Sequence, residues 1–362
     1  MGTLVPHLSS LERDRDDHHQ DDNCRDADWD GRWDDHGDDH WGDHWDDHWD
    51  ANWDDHWGEH KGKHKGHDKG KGKGKGKHKG KGQHFACYTS DRLISEGQLG
   101  KGGFAEVFHG VFHRDSGPVK VAIKPGISEL ELYILEELAR QTPPARGVVP
   151  VLEAAHPTAQ GDVALLRRGS FGTLASCLPW LSKAGALDAK VFLALLASIA
   201  EGLASLHRLR IIHCDPKPDN MVLHLDEEQS EVLCWLIDFG DARMLDYPGS
   251  WFSTGPGGPE VHCRVDMWSG DLGAHTDSWC LAQCAALLWS WVVNSWFSPW
   301  NPAWLDGAMP LHGLLQQCLQ EEPSVRPLAA EVAMAAHQEL EHLGCSAAEA
   351  LGTLIPHLSF PE

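Results

Sequence analysis

The sequence predicts an α+β fold of two lobes, a small β-rich one followed by a larger helical one, behind a disordered low-complexity N-terminal region. Three observations carry this expectation. Residues 1–87 consist of repeats and charge blocks that cannot bury a core. From Tyr88 the composition becomes that of an ordinary globular protein, and the roughly 255 residues that follow are many for one core and suit two lobes. Within them, strand-like runs with glycine turns come first and long helical patterns come later. The predicted organisation is a low-complexity region over 1–87, a two-lobed domain over 88–345 and a C-terminal tail over 346–362.

The formal charge of −23 is unevenly spread. Residues 1–60 hold twenty Asp/Glu against four Arg, and residues 61–84 reverse the sign with ten Lys against Asp68. In "WGDHWDDHWDANWDDHW", Trp41, Trp45, Trp49, Trp53 and Trp57 recur every four residues, and in and beside it His40, His44, His48, His56 and His60 follow the same step except where Asn52 interrupts it. Asp four residues from Asp repels along a helix face. In the tract that follows, Gly at alternate positions discourages both helix and strand. Imidazole and carboxylate are suitable ligands for Zn, Ni or Cu, so the repeat is a candidate for binding metal ions. Its uniform spacing is that of an expanded repeat, and this is the favoured reading. The Lys/Gly tract can meet anionic polymers by charge alone, or serve as a solvated linker that neutralises the acidic repeat. "GTLVPHLS" at 2–9 returns as "GTLIPHLS" at 352–359, which looks like the seam of a tandem unit.

Ten cysteines with no C-x-x-C pair exclude a disulfide framework and suggest reduced, buried thiols of a cytoplasmic or nuclear protein. Cys280 and Cys284 read as one face of a helix. The acidic, polar N-terminus is no signal peptide, and Pro6 takes the place where a myristoylation signal needs Ser or Thr. The apolar run "CLAQCAALLWSWVVNSWF", Cys280 to Phe297, is nearly long enough to span a bilayer, but is expected to be a buried core helix, with no membrane partner.

In the first lobe, "LGKGGFAEVFHG" (Leu99–Gly110) places Gly100, Gly102 and Gly103 between strand-like runs, where small residues let backbone N–H groups approach phosphate oxygens. "VAIK" ends at Lys124, on the expected next strand. "ISELELYILEELAR" then gives a helical stripe of Glu131, Leu135 and Leu138. "KVFLALLASIAEGLASLHRL" (Lys190–Leu209) is a long apolar helix. After it come "IIHCDPKPDN" (211–220), "LIDFGDAR" (236–243), Gly258-Pro259-Glu260, "DSW" beginning at Asp277, and Arg326.

In this order, from Leu99 to about Pro327, the motifs resemble the eukaryotic protein kinase family. The resemblance implies the bilobal protein-kinase fold, ATP as phosphate donor and Mg²⁺ as cofactor. It implies nucleotide contacts from Leu99, Gly100, Lys101, Gly102, Gly103, Phe104, Ala105, Val107, Ala122, Lys124 and Leu166. It makes Asp215 the catalytic base, Asn220 and Asp238 the metal ligands, and Phe239 the residue packed beside Asp238. Lys217 would steady the transferred phosphate, and a lysine at that spacing favours a protein Ser/Thr hydroxyl as acceptor. Glu131 is the expected partner of Lys124, with Glu129 the runner-up. Glu260 would pair with Arg326, and Asp277 would start a central buried helix.

Lys124-Pro125 with Glu131-Leu132-Tyr133-Ile134, "SFGTLASCL" (170–178) and "DYPGSWFSTGPGG" (246–258) are similar to segments of the mitotic spindle-checkpoint kinases, the budding-uninhibited-by-benzimidazoles family. That likeness implies a role in mitotic checkpoint signalling. The chain lacks the helical repeats such kinases carry at their N-terminus, and it keeps Phe239 where they often have Leu.

Two substitutions stand in the catalytic loop. Cys214 replaces the family's arginine and is expected to be a packed thiol. Pro216 follows the base, restricts Asp215 and removes one N–H. If the loop cannot accept Pro216, the alternative is a pseudokinase that binds nucleotide or a partner. Without the arginine, the activation segment is expected to hold by its own packing. Tyr247, Trp251 and Phe252 would be anchors, Thr254 would lie near the substrate, and Ser250 and Ser253 would be the remaining hydroxyls.

Overall fold

The computed structural model describes residues 88–358 apart from 102–105, 227–228, 248–249, 251, 254–270 and 295–308. Several expectations lie outside the described residues: the disorder of 1–87 with its metal and polymer binding, Gly102, Gly103, Phe104 and Ala105, and also Trp251, Thr254 and Gly258-Pro259-Glu260.

The first lobe is a five-stranded sheet of β1 (Leu93–Lys101), β2 (Glu106–Arg114), β3 (Gly117–Pro125), β4 (Val151–Thr158) and β5 (Gly161–Arg167), in spatial order β1-β2-β3-β5-β4. All neighbours run antiparallel. Side chains alternate between faces. Leu93, Phe108, Phe112, Val121, Ile123, Val163 and Leu165 fill the core on one face. Their neighbours Val107, Ala122, Lys124 and Leu166 therefore lie on the other. Gly110 of β2 sits where a Cβ would come within 2.2 Å of the Ile94 carbonyl oxygen, so no larger residue fits that close pairing. Helix α1 (Glu129–Ala139) begins at Ser128, whose Oγ accepts from the Glu131 amide at 3.1 Å. It buries Glu131, Ile134, Leu135 and Leu138, the stripe expected from the sequence.

The second lobe is built on α2 (Leu174–Lys183), α3 (Ala189–Arg208), α4 (Ala274–Val292), α5 (His312–Cys318), α6 (Ala329–His342) and α7 (Ala347–Gly352). Short strands lie between them: β6 (Ile211–Ile212) pairs β9 (Arg243–Met244), β7 (Met221–Asp226) pairs β8 (Glu231–Leu236), and β10 (Phe252–Ser253) pairs β11 (Asp271–Leu272). Asp188 caps α3 by accepting from the Val191 amide at 2.9 Å. This helix is apolar and long enough to cross a membrane, but 78% of its apolar window is buried against the other helices, as in the core of a globular domain. Helix α4 covers the described part of the second apolar run and buries both Cys280 and Cys284.

The two lobes are stitched where Gly147 (φ 71°) meets α3. A Cβ on Gly147 would lie 2.6 Å from the Gly202 Cα, and one on Gly202 would lie 2.6 Å from the Gly147 carbonyl oxygen. The same loop accepts from the Leu236 amide at 2.9 Å through Gly147, and Val149 donates back to the Leu236 carbonyl at 3.0 Å. Two glycines here let backbone pack on backbone, and the positive φ independently favours Gly at 147.

The segment named a tail in the sequence folds onto the domain. Ala347–Gly352 forms α7, Ile355–His357 forms a 3-10 turn, and Leu351, Leu354 and Leu358 join the main core. The second octapeptide copy thus supplies two anchors, Leu354 and Leu358, which are 0% and 2% exposed. Replacing Leu354 by Ala removes buried methyl groups and leaves a cavity. The expected loss is about 2–5 kcal/mol, read as a fall in thermal midpoint on the order of 10 °C. A midpoint within a degree of wild type would show that this segment is only loosely attached.

Candidate active site

Lys124 sits on β3, and the alternation of that strand turns it away from the sheet core. Its Nζ lies 2.5 Å from Glu131 Oε1 on α1 and 2.7 Å from Asp238 Oδ1 after β8. The runner-up Glu129 is exposed at the helix start, so Glu131 is the partner. Burial pulls the Lys124 pKa down, but Asp238 and Glu131 outweigh it and the net shift is upward. At Asp238, burial favours the neutral acid, while the Lys124 ammonium more than reverses this and holds the carboxyl below its ordinary value. Asp238 has φ 63°, a left-handed conformation its own side chain supports by accepting from the Gly240 amide at 3.3 Å.

The catalytic loop emerges between β6 and β7, and α4 holds it from below. Asp277 in the first turn of α4 is 0% exposed. Its Oδ2 accepts from the His213 amide at 2.9 Å and from His207 Nε2 at 2.8 Å, and its Oδ1 accepts from the Cys214 amide at 2.8 Å. Cys214 has φ 65°, a strained region for a non-glycine residue that persists only where the surroundings impose it. The two amide contacts to Asp277 do so here. The Cys214 thiol is buried against Ile212, Leu245, Leu272 and Cys280, as expected of a packed side chain. Burial, with Asp277 nearby, pushes its pKa well up, so it stays a thiol.

Asp215 follows. Its Oδ2 lies 2.7 Å from Lys217 Nζ and accepts from Asn220 Nδ2 at 2.8 Å, while its carbonyl accepts from the same amide group at 3.0 Å. Pro218–Asn220 makes a 3-10 turn that presents Asn220 to the base. Pro216 is buried, and its missing N–H leaves these contacts in place. Its carbonyl accepts from the Cys284 thiol of α4 at 2.9 Å. The sequence reading missed this contact. The only signal for it is spacing, since Cys284 lies seven residues after Asp277 and so on the same helix face.

Among the expected nucleotide residues that the structure describes, several are strand neighbours. Ala122 of β3 is paired with Leu166 of β5, and Val107 of β2 is paired with Gly100 of β1. Leu99 is exposed beside them. The donors suited to a hard cation are the Asp238 carboxylate and the Asn220 amide oxygen, whose NH₂ is committed to Asp215. Among the described residues no group of three His, Cys, Asp or Glu has metal-binding geometry. One carboxylate and one amide oxygen fit a divalent cation that is held jointly by these oxygens and a substrate's phosphates.

Two expectations about the activation segment change. Tyr247 is 65% exposed and so is not a buried anchor among the described residues. Ser250, expected as one of the segment's remaining hydroxyls for regulation, is buried, and its Oγ donates to the Tyr247 carbonyl at 2.7 Å. Arg243, the basic residue of this segment, spends its Nη1 on the Asp241 and Ala242 carbonyls at 2.8 and 2.9 Å. Arg326 is buried, donating to the Gln320 carbonyl at 2.7 Å and lying over the Trp279 ring at 5.0 Å.

Residues 93–282, more than half of the chain, match the protein kinase domain family. The chain belongs to that family. Among its relatives, the beta subunit of inhibitor of nuclear factor kappa-B kinase from Bos taurus is 32% identical over 225 residues, 56% of this chain and 28% of that protein. A receptor-like cytosolic serine/threonine-protein kinase of Arabidopsis thaliana is 31% identical over 175 residues, 45% of this chain and 34% of that protein. Serine/threonine-protein kinase dkf-2 of Caenorhabditis briggsae is 28% identical over 165 residues, 42% of this chain and 13% of that protein. The chain thus spans about a third or less of these relatives' lengths.

Because Asp277 carries three donors without solvent, Asp277→Asn leaves one acceptor and turns an NH₂ toward N–H groups. A loss of about 2–4 kcal/mol is expected from the unmade buried hydrogen bonds, measured by urea unfolding. A change under about 0.5 kcal/mol would show the carboxylate to be dispensable.

Proposed function

We propose that this kinase domain transfers the γ-phosphate of MgATP to the hydroxyl of a protein Ser or Thr. One observation carries the reading: the Asp215 carboxylate is fixed by Lys217 and Asn220 while Lys124 is fixed by Glu131 and Asp238. A base and a phosphate-binding ammonium are thereby both oriented by neighbours, the arrangement that positioning catalysis needs.

Each residue has a distinct task. Lys124, kept protonated by its carboxylate partners, meets the α- and β-phosphates. Asp215 accepts the proton as the substrate oxygen bonds to the γ-phosphorus and the bond to the β–γ bridging oxygen breaks, releasing ADP. Lys217, next to the base, balances charge on the transferred group. Mg²⁺ bound by Asn220 and Asp238 would supply the neutralisation of phosphate charge. Two of the relatives are serine/threonine-protein kinases, which supports the acceptor class. A narrower role in mitotic checkpoint signalling rests only on the likeness of Lys124-Pro125, Glu131-Leu132-Tyr133-Ile134 and the two later segments.

Two outcomes test this. Asp215→Asn should lower kcat by about a thousandfold with ATP affinity within about threefold, by radiolabelled transfer and calorimetry. Wild-type chain that binds ATP without turnover would be a pseudokinase. Ordering a segment by phosphate needs arginine forks, and here Cys214 replaces one and Arg243 is engaged with its own backbone. Phosphatase-treated enzyme should therefore keep most of its rate, and near-total loss would contradict that view.

A further inference from the structure

The loop that carries the base is gripped by α4 at two points. Asp277 takes the amides of His213 and Cys214 on the N-terminal side of Asp215. Cys284, two turns along the same helix face, meets the carbonyl of Pro216 on the C-terminal side, with Sγ and O 2.9 Å apart. That carbonyl belongs to the peptide plane joining Pro216 to Lys217. Fixing the plane fixes the Lys217 backbone, and the Lys217 ammonium in turn lies 2.7 Å from the Asp215 carboxylate. Pro216 has no N–H, so its carbonyl is the one backbone polar group through which this residue can be held. Cys284 is buried and belongs to the main core cluster. Burial, reinforced by Asp215 and Asp219, pushes its pKa up, so the sulfur keeps its proton and remains a donor.

We propose that Cys284 is a positioning residue for phosphoryl transfer, its thiol donating to the Pro216 carbonyl and so setting Lys217 against Asp215. This rests on the kinase reading above. It differs from an ordinary core cysteine in one respect: what is required of it is a hydrogen-bond donor, and filling space is secondary. The two roles predict opposite orders of tolerance. A packing residue accepts Val or Ala and suffers when a hydroxyl is buried in its place. A donor accepts Ser and suffers from Val.

The test uses the full chain with Cys284→Ser, Cys284→Val and Cys284→Ala. Three quantities are measured: kcat and KM for a protein substrate, the dissociation constant for ATP, and amide hydrogen exchange at Lys217. Expected are a kcat about tenfold lower for Val and for Ala, the worth of one buried hydrogen bond. Ser should stay within about threefold of wild type, and ATP affinity should be unchanged throughout. Exchange at Lys217 should rise about tenfold in Val and Ala and stay near wild type in Ser. Should Val fail to fold, the Ala and Ser pair decides. Val or Ala with wild-type kcat and wild-type exchange overturns the proposal, as does Ser being the most impaired of the three. If wild type binds ATP without turnover, the kinase reading fails. The exchange pattern at Lys217 then still upholds or rejects the hydrogen bond's hold on the loop.

Discussion

The active site depends on one buried carboxylate. Asp277 is removed from solvent, and an ionised group there is tolerable only if its lone pairs are filled. Two backbone amides of the catalytic loop and the imidazole of His207 fill them. The dependence is mutual. The loop needs the carboxylate to hold Cys214 in a left-handed conformation, and the carboxylate needs the loop's amides to be buried. Since α4 is buried along most of its length, the Asp215 loop is referenced to the core of the second lobe.

A second centre of charge ties the lobes together. The Lys124 ammonium draws β3, α1 and the segment after β8 to one point. Two carboxylates on one cation leave a net negative centre, and Asp241 responds to its surroundings: burial raises its pKa, and the neighbouring Asp215 carboxylate raises it further. Such a surplus of acid matches a site that works with divalent metal and phosphate together, where the cation completes the charge balance.

Much of this was legible in the sequence where chemistry needs a fixed residue at a fixed spacing. Motif order singled out Lys124, Asp215, Asn220 and Asp238, the stripe with Leu135 and Leu138 singled out Glu131, and the family resemblance singled out Asp277, which lies in the first turn of α4. What was not legible depends on which surface a chain segment meets. Tyr247 looked like an anchor because it is aromatic, yet residue type does not say whether a turn runs inward. Residues 346–362 read as a tail from the sequence alone; the leucines that bury Ala347–Leu358 become informative only once α3 and β8 supply the seat. The contact from Cys284 has no pattern of its own, since a thiol is as common a core filler as it is a rare donor.

The close meeting of Gly147 with Gly202 has a mechanical consequence. Side chains at a joint act as a cushion, because rotamers can shift to absorb a displacement. Two bare backbones cannot compress, and the hydrogen bonds flanking them to Leu236 resist sliding. What remains is turning about that point, like a door on its pin. Leverage about such a pin is shortest at Leu236, which is bonded to it, and longest at the strand ends farthest from it.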